Sequence, residues 1–167
     1  MPAVLDAGLT VEAIQTVLSA NLATKFDTLD TEYADNITLN DIAHYYRALM
    51  ARYDDYPTIV IFTDGNEPDE QGGSFYLRHQ VIEIRVLEIS NEAVDSLLPP
   101  EVMIKRLERM CRGINEVLME NRGSLSISNV DDVGITAIVG PEFLDFVQVD
   151  TGPTGRSASI AVTVTAK

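Results

Sequence analysis

Cysteine occurs once in this chain, at Cys111, so no disulfide can form within it. A single thiol inside an apolar stripe reads as packing material, and it fits synthesis in a reducing cytosol. Basic residues are scarce as well: 12 Lys and Arg stand against 26 Asp and Glu, a formal charge of −14. Gripping nucleic acid through its phosphates depends on clustered Lys and Arg, so this balance argues against a nucleic-acid-binding module. It leaves room for a protein that lines a path for DNA without holding it. Lys105, Arg106, Arg109, Arg112 and Arg122 fall on one helical stretch, where mixed charge reads as a solvated face. No apolar run approaches the roughly 20 residues that cross a bilayer. The start, Met1-Pro2-Ala3-Val4, lacks the basic-then-apolar pattern of a secretory leader, so a soluble, intracellular chain with no membrane partner is expected.

Catalytic signatures are missing too. His44 and His79 lie in different elements, and neither has a serine, cysteine or carboxylate in a recognisable nucleophile setting. Gly72-Gly73 leads into a strand and lacks the lysine and hydroxyl that end a phosphate-binding loop. Asp64, Asn66, Asp69 and Glu70 offer oxygens to a hard cation, but without the regular spacing and closing glutamate of a calcium loop. Adjacent acids such as Asp54-Asp55 and Asp131-Asp132 are ordinary turn chemistry. The expectation is a protein without catalytic residues, metal or cofactor.

What the chain does have is pattern. At 167 residues it is long enough for one domain with its own core, spanning 1–167. From Tyr76 to Ile89, Gln80, Ile82, Ile84 and Val86 share one face while Glu83 and Arg85 share the other, the two-residue period of a strand. From Pro100 to Arg122, Ile104, Leu107, Cys111, Ile114 and Leu118 recur at spacings of three and four, widened by Met103, Met110 and Val117. That stripe predicts a helix lying across a sheet. Pro100 starts it and Gly123 stops it.

An earlier helix is predicted over residues 10–29, with Thr10 as cap and Val11, Ile14, Leu18, Leu22 and Phe26 inward. The acidic stretch Asp27 to Asn36 reads as a connection. A second helix is expected from Asn40 to Tyr53, with Ile42, Tyr45, Tyr46, Leu49, Met50 and Tyr53 on its apolar side. Thr58 to Thr63 is a β-branched strand, and Asp64 to Ser74 a long acidic hairpin loop before the antiparallel return. Beyond the long helix come a short strand (Leu125, Ile127, Val130) and a strand from Val133 to Val139. Gly140-Pro141 interrupts, and Phe143 to Val149 resumes. Thr151 to Ser157 reads as a second glycine-containing loop before the last strand, Ser159 to Thr165. The order predicts an α+β fold: a mostly antiparallel sheet with the long amphipathic helix and the N-terminal helices packed on it.

Two features suit assembly. The last strand is β-branched and places Ile160, Val162 and Val164 on one face; it is either an uncovered edge that docks a neighbour or a strand paired on both sides within the chain. The two polar loops could reach a partner. The N-terminal helix, Pro57-Thr58-Ile59-Val60-Ile61-Phe62, the strand with its Val-Ile-Glu-Ile-Arg-Val centre, the helix Val102 to Asn121 and the closing strands together resemble the tail terminator (tail completion) proteins of long-tailed bacteriophages. The second helix is longer than that family commonly has.

The resemblance implies a virion subunit that forms a six-membered ring at the head-proximal end of the tail tube. The ring would contact the tube protein and a neck or stopper protein, and DNA would pass through its bore unbound. It leads us to expect an axial or lumen-facing role for Asp64, Asn66, Glu67, Asp69 and Glu70. A subunit or tube contact is expected at Thr151, Thr154, Arg156 and Ser157, with Ile160, Val162 and Val164 on the adjoining strand. Other neck components, a tube subunit, or a small-molecule-binding or enzymatic α+β domain with Tyr45, Tyr46, Tyr53 and Tyr76 in a pocket are the competing readings.

Overall fold

The computed structural model describes residues 5–50, 53–63, 79–89, 100–123, 125–127, 130, 132–148 and 154–166. Among these are two helices, α1 (Ala7–Tyr33) and α2 (Pro100–Glu120), and five strands. The strands are β1 (His44–Tyr46), β2 (Thr58–Thr63), β3 (His79–Ile89), β4 (Val133–Gln148) and β5 (Thr154–Ala166). They form one sheet in the order β1-β2-β3-β5-β4, antiparallel throughout except where β1 runs parallel to β2. The fold is α+β with a mostly antiparallel sheet. Strands β3 and β4 are both antiparallel to β5, so they run the same way, and α2 carries the chain from one to the other across the slot that β5 fills.

Both helices lie on one side. Ile59 and Ile61 of β2, Ile82, Ile84 and Val86 of β3, and Ile160, Val162 and Val164 of β5 meet the apolar stripes of α1 and α2 in a single core. The α2 stripe is as the spacing predicts: Leu107, Met110, Cys111, Ile114, Val117 and Leu118 are all buried. Helix α1 buries Val11, Ile14, Leu18, Leu22 and Phe26, and adds Leu29 a turn later. The two helices touch closely at Gly113, where a β-carbon would come within 2.9 Å of the Phe26 ring.

Several expectations are corrected. Helix α1 starts earlier than Thr10, because the Asp6 carboxylate caps the Leu9 amide at 2.9 Å while Thr10 is buried. It also runs through Asp27 to Tyr33, because Leu29 extends the apolar stripe and Arg112 of α2 meets Glu32. The predicted helix over Asn40 to Tyr53 is absent among the described residues of that range; the chain there is extended and contains β1. The three- and four-residue spacing of Ile42, Tyr45, Tyr46, Leu49, Met50 and Tyr53 fits a helix, but parallel pairing with β2 decides the outcome, as long-range contacts often do over short segments. Of the short strand at 125–130, an isolated bridge between Ile127 and Val130 is described.

Gly140-Pro141 does not divide a strand. Strand β4 passes through it by a cis peptide and a register shift between Val139 and Glu142. A proline lacks an amide to donate, which a strand at the sheet's edge tolerates. Gly140 is required there: its φ is +118°, and a β-carbon would lie 2.8 Å from the Ser159 carbonyl oxygen. The 64–74 loop and the 91–98 linker lie outside the described residues.

Candidate assembly surface

The residues singled out from sequence fall into three groups. Asp64, Asn66, Glu67, Asp69, Glu70 and Thr151 lie outside the described residues. Thr154, Arg156 and Ser157 are not in a loop; they are the first part of β5, with Ser157 opposite Leu87 and Arg156 opposite Glu88. The paired backbone on both sides explains why that glycine-containing stretch is extended. Ile160, Val162 and Val164 are fully buried against the helices, so their side chains cannot form a contact surface for a neighbour. Strand β5 is interior, and of the two readings of the last strand the fully paired one holds.

The sheet's long free edge is instead β4. Its inner side pairs with β5, and no described strand pairs with its outer side. Along it Val139 is 67% and Phe143 48% exposed, with Ala137 and Glu142 exposed between and beside them. Unpaired amides and carbonyls beside exposed apolar side chains are what a docking strand offers. Register shifts at Ile135/Ala137, Val139/Glu142 and Leu144/Val147 bend this strand and, with Pro141, break its edge into shorter runs. Sequence reasoning missed Val139 and Phe143 because Gly140-Pro141 reads as an end. The alternation of Val133, Ile135, Ala137 and Val139 was the available signal.

The sheet face turned away from the helices carries a polar tie. Glu83 Oε1 accepts from Arg85 Nη2 and from Ser159 Oγ, each at 2.7 Å, and the Arg85 guanidinium lies 5.4 Å from the Phe62 ring centre. A carboxylate engaged by a guanidinium and a hydroxyl holds strands in register.

A second polar cluster joins α1 to α2, and it corrects the picture of a solvated helix face. Arg109 is buried: its Nη1 donates to Asp35 Oδ1 at 2.9 Å and to the Ile37 carbonyl at 3.1 Å, its Nη2 pairs with Asp35 Oδ2, and its head lies 3.9 Å from the Tyr33 ring centre. Hydrogen bonding from Arg109 draws the Asp35 carboxyl down from 3.8 to about 2. Arg112 reaches the Tyr33 hydroxyl, Glu116 and Glu32 at 2.9, 2.7 and 3.0 Å. Lys25 of α1 bonds Glu120 of α2 at 2.6 Å.

Burial pushes the Cys111 thiol up to about 12, with Glu108 adding to the shift, so little thiolate exists near neutrality. His44 stands at the exposed end of β1, its ring 4.3 Å from Tyr46, which in turn meets Tyr53 edge-on at 5.1 Å. Tyr45, next along the strand, points to the other side and packs on the core. Burial, with a contribution from Asp41, pushes its hydroxyl up to about 12. The proposed tyrosine pocket therefore does not form from Tyr45 and Tyr46 together, and Tyr76 lies outside the described residues. An open groove of about 650 Å³ beside the start of α1 is lined by Leu9, Glu12, Arg47, Leu49 and Phe62 among others. Among the described residues no group of three His, Cys, Asp or Glu side chains could hold a metal ion. Among the described residues no helix is long and apolar enough to cross a membrane. No protein-family model matches the chain, and no curated protein matches it.

Proposed function

We propose that this chain is a structural subunit of a bacteriophage virion, a tail terminator. Copies close into a ring, six of them, on the head-proximal end of the tail tube and join it to a neck or stopper protein, with DNA passing through the bore. In this reading the protein makes and breaks no covalent bond and needs no cofactor. Its energy goes into contacts with neighbouring copies and with the last ring of the tube.

The observation that carries the reading is the outer edge of β4, where Val139 and Phe143 stand exposed on a strand that no described strand pairs on that side. Replacement of the expected second helix by an extended segment also removes the element that departed most from the terminator pattern. The charge of −14 suits a bore through which a polyanion slides, since like charge discourages sticking. Stopping at one ring requires a face that refuses a further subunit as well as one that accepts the tube. Asp64, Asn66, Glu67, Asp69 and Glu70 are assigned, from sequence, to the bore or an axial neighbour. Thr151, Thr154 and Arg156 are assigned, from sequence, to the tube or subunit contact, and Ser157, buried within β5, drops out of it.

The test is a paired substitution on the free edge. Val139→Lys with Phe143→Lys changes exposed positions, so each should alter folding stability by no more than about 0.5 kcal/mol. The double variant should remain a folded subunit and fail to close rings on tube ends. Wild-type ring formation by it would remove β4 from the interface.

A further inference from the structure

Residues 34–47 are fastened to the protein in an unusual way. The chain leaves α1 through Ala34 and Asn36, both in the left-handed region at φ 46° and 64°. Over the next residues the main chain bonds to side chains and not to a ladder. Asp35 Oδ1 accepts from the Ile37 amide at 3.3 Å, and Arg109 donates to the Ile37 carbonyl at 3.1 Å. Arg106 Nε donates to the Thr38 carbonyl at 3.1 Å, and the two Asp30 oxygens accept from the Leu39 amide at 3.1 and 3.0 Å. The Ala43 amide then reaches the Pro57 carbonyl at 2.8 Å, and three residues pair with β2 as β1. At the far end Arg47 returns to α1, with Nε on Gln15 at 2.6 Å and Nη1 3.6 Å from Glu12. An arginine thus pins each end.

Little apolar surface holds the middle. Leu39 is the buried hydrophobic residue of this stretch, with Ile42 and Tyr45 half-buried beside it. Strand β3, by contrast, is paired on both edges and buries Ile82, Ile84 and Val86 completely. Segments with few buried apolar contacts and few ladder bonds open at lower free energy than the core.

We infer that residues 34–47 form a strap that lifts from the β2 edge as one unit while α1, α2, β3 and β5 stay folded, and that the Arg109–Asp35 contact is its latch. Lifting breaks the short parallel pairing and bares the whole Thr58–Thr63 edge, giving the sheet a second long free edge opposite β4. The device belongs to the isolated chain and does not depend on the assembly reading.

Hydrogen–deuterium exchange with peptide-level mass spectrometry, on the full chain alone, tests it. The Leu39 and Ala43 amides should exchange at least a hundredfold faster than the β3 and β5 amides. Arg109→Ala should speed them at least a further tenfold and leave β5 unchanged. Arg47→Ala, at the exposed pin, should speed them in the same selective way and covers the case in which the Arg109 variant does not fold. The inference is overturned if Leu39 and Ala43 exchange in step with β5 in the wild type, or if Arg47→Ala accelerates strap and β5 equally.

Discussion

Gly113→Ala isolates the closest contact in the core. On an exposed helix this change is favourable, by about 1 kcal/mol, because alanine gives up less backbone freedom on folding. Here the added methyl would lie 2.9 and 3.2 Å from two carbons of the Phe26 ring and 3.4 Å from Leu29 Cδ1. Phe26 and Leu29 are each 1% exposed, so neither can turn aside into solvent. Overpacking a closed site costs about 1–3 kcal/mol, and the sealed ring puts this case in the upper half. The clash therefore outweighs the propensity gain, for a net loss of about 1–2 kcal/mol. In a chain of this size that lowers the melting temperature by roughly 2–8 °C. Equilibrium urea unfolding followed by circular dichroism measures it. A cycle with Phe26→Leu assigns the cause: the double variant should be less destabilised than the two singles summed, by about 1 kcal/mol. If Gly113→Ala is as stable as wild type or more so, the two helices do not meet at this glycine and the packing described is wrong.

Two further outcomes follow from local geometry. Ala34 caps α1 in the left-handed region at φ 46° and ψ 38°, where glycine has no steric penalty, so Ala34→Gly should stabilise the protein by about 1 kcal/mol in the same urea titration; a loss of stability would contradict that backbone. Asp35 is held at about 2 against an ordinary 3.8, a lowered value, so its contribution is fully present above about pH 4 and is lost as the pH falls through about 2. Wild type should therefore exceed Asp35→Asn in urea midpoint at pH 5, with the difference shrinking by pH 2; a constant difference would mean that Asp35 is not ionically paired.

Much of the fold is legible in the residues because several elements carry their period openly. Helix α2 declares itself by the run from Met103 to Leu118, and β2, β3 and β5 by β-branched alternation. The failures come where partners distant in sequence decide. Tyr45 and Tyr46 fit a helical stripe, but their pairing with Ile59 and Val60 sets a strand, which no local pattern announces. Glu32 and Asp35 look like a solvated connection until Arg112 and Arg109, on a helix far along the chain, meet them. Strand order is the least legible of all. Ile160, Val162 and Val164 have the character of an edge or a centre equally, and the placement of β5 between β3 and β4 settles which. The same ordering moves the exposed edge to Val139 and Phe143, on a strand whose Gly140-Pro141 reads as a break.

The central proposal, a subunit that assembles at a tube end, is tested most directly by electron microscopy of the purified chain mixed with isolated phage tail tubes. The account predicts a closed ring of added density at one end of each tube, with no growth beyond it. Bare tube ends at saturating protein, or continued extension of the tube by this chain, would contradict it.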